Sequence, residues 1–242
     1  EIEFITKKII KNKIKILIID HYSIDYNYET ILKKSFPNLK IFIIDDLFKK
    51  HLCDFYLSQN YYSSYNLNLI NKNTQCFLGP TYSIINNDLK QNLIAKKNTR
   101  KSILICFGGS DTNNTTEKII KLLMKSENFC KYSFNIVVGK CYSNLDSLMK
   151  TIEKFDNIKY YYNISQRKMG EIILENDICI GAGGMSLYER MYLGIGNIVI
   201  TIADNQKQTA IDMNNKYIIY LSHYTEVDCI KINMIYDYIE NL

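Results

Sequence analysis

The chain has 242 residues, of which 47% are hydrophobic and 23% charged, and a formal net charge of +5. This composition supports a buried core and excludes wholesale disorder, and the length suits one large domain or two of ordinary size. No apolar run reaches the roughly 18 residues of a membrane-spanning helix.

The basic residues include only three arginines, Arg100, Arg167 and Arg190, and the lysines are spread along the chain. Nucleic-acid readers cluster arginine for bidentate contacts, so no nucleic-acid partner is expected. The seven cysteines are odd in number and show no C-x-x-C or other metal-ligand spacing. They read as small buried hydrophobes in a reducing cytoplasm, and no metal or cofactor is expected.

Short apolar runs alternate with amphipathic ones. In chain order the expected strands are Lys15–Asp20, Lys40–Asp45, Ser102–Phe107, Asn135–Val138, Ile158–Tyr162, Ile178–Ile180, Asn197–Thr201 and Tyr217–Leu221. Most are apolar throughout, as in strands covered on both faces. Between them the spacing predicts helices over Tyr28–Ser35, Thr115–Lys125, Ser143–Lys154, Ser165–Glu175, Ser186–Leu193 and Gln206–Asn215. The alternation implies an α/β protein with parallel sheets. The polar, lysine-rich stretch Asn86–Arg100 divides it into two Rossmann-like domains, 1–95 and 96–242. The second has six strands. The first has two clear ones, too few for an independent sheet, so it is expected to be incomplete.

Ligands of open α/β sheets bind beyond the carboxyl ends of strands. Four such ends carry unusual residues. At Asp20-His21-Tyr22, an acid, an imidazole and a phenol each need a partner if buried, or Asp20 caps a helix beside an exposed His21. At Asp45-Asp46, adjacent carboxylates fit a phospho-acceptor or, with Asp20, a Mg²⁺ site, a reading nothing else supports. At Gly108-Gly109-Ser110-Asp111, paired glycines admit a ligand to the backbone and a following helix start offers N–H groups to an anion; Ser110 or Asp111 is alternatively a plain N-cap. At Gly181-Ala182-Gly183-Gly184-Met185-Ser186, three glycines precede another helix, and Glu189 either closes a capping box with Ser186 or accepts hydrogen bonds from a ribose diol. Two glycine-rich ends in one domain point to a shared diphosphate cleft. Asn205 stands near its rim, or caps the helix from Gln206.

Several segments together resemble a known family. They are Asp20-His21-Tyr22, Asp45-Asp46 with His51 and Cys53-Asp54, Gln59-Asn60, Gly79-Pro80-x-Tyr82, Phe107–Asp111 and Gly181–Glu189, in this order. The resemblance is to the UDP-2,4-diacetamido-2,4,6-trideoxy-β-L-altropyranose hydrolases of pseudaminic acid biosynthesis, which look like MurG-type glycosyltransferases with two Rossmann-like domains (a GT-B-like fold). It implies that water displaces UDP from a UDP-sugar substrate, with inversion at the anomeric carbon and without a cofactor. It also implies that UDP sits at Gly108, Gly109, Ser110, Gly183, Gly184, Met185 and Ser186 with Glu189 on the ribose, while Tyr22 and Asn205 serve catalysis on the sugar side. A MurG-like UDP-sugar transferase and a non-catalytic UDP-sugar-binding domain are the alternatives. The family's Gly-x-Gly-His-x-x-Arg loop, whose His is the expected general base, does not occur in this sequence. The chain opens on Glu1 rather than Met, and by the resemblance it starts after that loop. Asn86 and Asn197 stand where the family has Arg and Pro.

Overall fold

A computed structural model describes residues 2–62, 65, 67–90 and 101–240. Two compact units emerge, Glu1–Ile84 and Ile85–Leu242. The domain boundary expected near residue 95 falls within 91–100, outside the described residues.

The first unit runs α1 (Ile2–Asn12), β1 (Ile16–Ile19), α2 (Tyr26–Ser35), β2 (Lys40–Ile44), β3 (Phe55–Ser58) and β4 (Gln75–Leu78). Its sheet has four parallel strands in the order β1-β2-β3-β4, where the sequence pattern had predicted two. β3 and β4 are four residues long and contain no aliphatic run, so their pairing, β3 on β2 and β4 on β3, is not written in a local pattern. One sheet face packs Ile19, Ile41, Ile43 and Tyr56 against Ile9 of α1 and Leu32 of α2. The opposite face bears a ladder of Phe42, Phe55 and Phe77, with Phe42 5.9 Å from Phe55 and 6.1 Å from Phe77. On that face the edge residues Ile16 and Ile18 are exposed. α2 begins where the Asp25 carboxylate accepts the Tyr28 amide at 3.0 Å, so Asp25 is the cap and Asp20 is not.

The second unit runs β5 (Ser102–Cys106), α3 (Thr115–Leu123), β6 (Ser133–Val138), α4 (Leu145–Ile152), β7 (Ile158–Tyr162), α5 (Gln166–Glu175), β8 (Ile178–Gly181), α6 (Met185–Tyr192), β9 (Gly196–Thr201), α7 (Lys207–Met213), β10 (Ile219–His223) and α8 (Cys229–Glu240). All six strands are parallel, in the order β10-β9-β8-β5-β6-β7. The chain therefore winds outward from β5 in one direction through β7, returns, and winds outward in the other from β8. This is the doubly wound Rossmann arrangement, and its switch point is the β5–β8 pair.

Alternate residues of β5 explain the two layers. Ile103 and Ile105 face α3, α4 and α8, where Ile119, Leu148 and Ile235 are fully buried; Leu104 and Cys106 face α5, where Ile172 and Ile173 are fully buried. Strands covered on both faces need no polar alternation, which is why these runs are apolar throughout.

Ile105→Ala removes a fully buried side chain at the centre of this sheet. We expect a loss of about 2–5 kcal/mol by chemical denaturation, whereas Ile230→Ala, at a side chain 75% exposed, should stay within about 0.5 kcal/mol of the parent.

Candidate functional site

The switch point leaves a crevice of about 590 Å³ at the carboxyl ends of β5, β6 and β8. Of the eight residues expected to bind UDP, Gly108, Gly109, Ser110, Gly184, Met185, Ser186 and Glu189 line it. Gly108 turns the chain sharply at φ +89°, a conformation open to glycine and strained for other residues. Gly183 does not line the cleft. Its amide donates to Gln206 Oε1 at 3.3 Å, which also accepts the Ile202 amide at 3.0 Å, so one side chain ties the loop after β8 to the loop after β9.

The two helix starts differ. At α3 the Asp111 carboxylate accepts the Thr115 and Thr116 amides at 2.9 and 2.7 Å. The carboxylate therefore occupies the anion position expected for a ligand, and on this side the cleft is walled by the Gly108–Ser110 turn itself. At α6 the capping residue is Gly184, which has no side chain to spend on the first turn. Ser186 accepts from Arg190 at 3.0 Å instead of forming a capping box, so Glu189 is not a cap. Burial pushes the Glu189 carboxyl up, against the pull of the neighbouring Arg190.

Two features went unread in the sequence. Gly139, after β6, lies so close to the first glycine turn that a Cβ would fall 2.3 Å from the Gly109 carbonyl oxygen. Only the fold brings these glycines together. Arg190 is fully buried in α6: Nε donates to Asn197 Oδ1 at 2.7 Å, Nη1 to Ser186 Oγ and Nη2 to the Ala182 carbonyl at 2.8 Å. Asn197, where the family resemblance had a proline, thus serves as an acceptor for a buried guanidinium.

Tyr22 and Asn205 do not line this cleft. Asn205 lies in the 3-10 turn Asp204–Gln206, and the residue that caps α7 is Gln206. Tyr22 belongs to the first unit, at a cavity of about 340 Å³ beyond β1 and β2 that Asp20, His21, Asp45, Lys49 and His51 also line. Asp20, His21 and Tyr22 are all exposed rather than core. The Tyr22 phenol donates to Asp46 at 2.9 Å and its carbonyl accepts from Lys49 at 3.2 Å. Burial, this bond and the charges of Asp46, Asp20 and Asp45 push the phenol up to about 12.

Behind that cavity the loop 45–51 is held by buried charges. His51 Nδ1 lies 2.6 Å from Glu29 Oε1, and Nε2 lies 3.5 Å from Asp45 Oδ2. Asp45 also accepts the Leu47 and Lys49 amides and the Tyr56 hydroxyl. Its oxygens are spent inside the protein, which leaves the phospho-acceptor or Mg²⁺ reading without support. Among the described residues no group of His, Cys, Asp and Glu has metal-site geometry. Burial opposes the charge on His51, but Asp45 and Glu29 outweigh it and lift the imidazole to about 9; burial would raise Asp45, but His51 and the two amides bring it down to about 2.

No family model matches the chain. It is 34% identical over 151 residues to an uncharacterised protein of Methanocaldococcus jannaschii, a match covering 59% of this chain but only 30% of that protein. It is 27% identical over 203 residues to the UDP-2,4-diacetamido-2,4,6-trideoxy-beta-L-altropyranose hydrolase of Campylobacter jejuni, covering 83% of this chain and 71% of the relative. It is 26% identical over 141 residues to the spore coat polysaccharide biosynthesis protein SpsG of Bacillus subtilis, covering 57% and 41%. Among solved structures it superposes on MurG of Acinetobacter baumannii with a TM-score of 0.64 at 11% identity, covering 97% of this chain and 67% of that one. A putative UDP-N-acetylglucosamine 2-epimerase of Listeria monocytogenes gives 0.66 at 8% identity, covering 100% and 70%. These likenesses establish the fold as α/β and GT-B-like.

His51, raised to about 9, contributes stability that is complete below its unfolded value of about 6.5 and is lost as pH rises through 9; Asp45, lowered to about 2, contributes stability lost as pH falls from about 3.9 towards 2. The stability of the parent to denaturant should therefore fall from about pH 6.5 to 9, and His51→Ala should flatten that slope. An unchanged slope in the variant would show that His51 is not charged in the fold.

Proposed function

We propose that the cleft of the second unit binds uridine diphosphate and that the chain acts on a UDP-sugar. The supporting observation is the pair of glycine turns on adjacent strands at the switch point, one opening directly into a helix whose cap residue is a glycine, with Glu189 on the wall of the cleft. Backbone N–H groups and the dipole of α6 suit the diphosphate. Gly108, Gly109, Ser110, Gly184, Met185 and Ser186 would contact it, with Gly183 acting through Gln206. Glu189, freed from capping, has two oxygens for the two hydroxyls of a ribose.

The finer reading is hydrolysis with inversion, of the substrate for which the Campylobacter jejuni relative is named. Water attacks the anomeric carbon as the bond to the diphosphate oxygen breaks; the proton passes to a base and UDP departs. The charge that develops on the leaving diphosphate is met by amides already in place, which need no reorganisation during the reaction. By the family resemblance Tyr22, in the first unit, and Asn205, in the second, would serve catalysis. The Tyr22 phenol donates a hydrogen bond to Asp46, and Lys49 holds its backbone carbonyl.

Calorimetry with UDP tests the binding, and Glu189→Ala should cost about 1–3 kcal/mol of it, the range for a hydrogen bond to a charged group. Unchanged affinity would remove Glu189 from the site. A product assay tests the reaction: free sugar and UDP formed without an acceptor supports hydrolysis, turnover only with an added acceptor supports a transferase, and binding without turnover supports a UDP-sugar-binding domain.

A further inference from the structure

The most unusual charge in the second unit lies beneath the cleft rather than on its wall. Arg190 has no solvent exposure, and its three hydrogen bonds end on an amide oxygen, a hydroxyl and a backbone carbonyl. Among the described residues none of its hydrogen-bond acceptors is a carboxylate. A guanidinium cannot shed its proton at any ordinary pH, so this site holds a full positive charge out of water. Such a charge is retained at a cost to stability unless something anionic offsets it.

Its position indicates what that anion is. Two of its acceptors, Ala182 and Ser186, themselves line the cleft. A Cβ on Gly181, at the end of β8, would lie 3.0 Å from Nη1. Burial pushes the Cys106 thiol at the end of β5 up, and the charge of Arg190 pulls against it, so the guanidinium lies within electrostatic reach of both strands of the switch point. One carboxylate, that of the adjacent Glu189, feels this charge from the cleft wall, where burial raises its pKa.

We propose that Arg190 is a buried cation that gives the cleft its preference for a diphosphate, acting through the loop it holds rather than by touching the ligand. This rests on the reading of the cleft as a UDP site. The bond from Nη2 to the Ala182 carbonyl fixes the turn, and the bond to Ser186 fixes the first turn of α6, so one side chain sets both the direction of the donors and the sign of the field behind them. Asn197 completes the arrangement: it accepts from Nε and donates to the Ile195 carbonyl at 2.8 Å, anchoring the guanidinium without neutralising it.

The experiment compares UDP with uridine, which share the nucleoside and differ in the diphosphate. Affinities for both are measured by calorimetry on the full chain, with folding checked by circular dichroism. Arg190→Gln should lower UDP affinity about tenfold or more and change uridine affinity by less than about threefold, and Arg190→Lys should recover part of the loss. A purely structural role would weaken both ligands together, with no recovery in Arg190→Lys, and that result overturns the proposal. If Arg190→Gln does not fold, Asn197→Asp decides: it sets a carboxylate against the guanidinium and should lower UDP affinity selectively, while equal UDP affinity in Asn197→Asp and parent overturns the proposal. Failure of the parent itself to bind UDP would instead refute the reading of the cleft, and the proposal with it.

Discussion

The pairing of β5 with β8 is the constraint on which the second unit depends. Ile103 to Cys106 run in register with Ile178 to Gly181, although more than seventy residues separate them in the chain. Because β5 continues to β6 on one side and β8 to β9 on the other, no connection crosses above this pair. The loops that leave it diverge, and a crevice opens between them. Both glycine turns, Glu189 and the buried Arg190 are consequences of that single junction. Even Gly139, from the next strand along, is glycine because the turn after β5 leaves its Cβ no room.

The first unit solves a different problem. Among the described residues its connections from β2 to β3 and from β3 to β4 contain no α-helix, so a loop must be made rigid by other means. Glu29 of α2, His51 and Asp45 do this with charge: each carboxylate is balanced by the imidazole or by amides, and Tyr56 adds a hydroxyl. The outer side chains of the same loop, Asp46 and Lys49, then hold Tyr22 at its phenol and its carbonyl. The Asp45-Asp46 pair, which in the sequence resembled a metal or phosphate site, divides into one buried structural residue and one that positions a neighbour.

What the sequence revealed, and what it concealed, follows from how local each signal is. The six strands of the second unit are legible because burial on both faces makes them continuous apolar runs. β3 and β4 are not, since four residues such as Gln75–Leu78 carry no period. α8 buries Ile232, Ile235, Tyr236 and Ile239 at helical spacing, but exposed Ile230 before them and Met234 among them blur the stripe. The glycine turns are legible as strand ends followed by helices. That Asp111 accepts the first amides of α3 while a glycine caps α6 is not legible there, because both segments contain a residue able to cap. Arg190 was read only as one of three arginines; its burial depends on Asn197, Ala182 and Ser186 meeting in space.

The central claim is that the turns after β5 and β8 grip one pyrophosphate together. Amide chemical shifts during titration with uridine diphosphate test this most directly. The account predicts saturable shifts concentrated at Gly108, Gly109, Gly184 and Met185, all following one binding curve. Shifts confined to one of the two turns, or centred on the loop from Asp45 to His51, would contradict it.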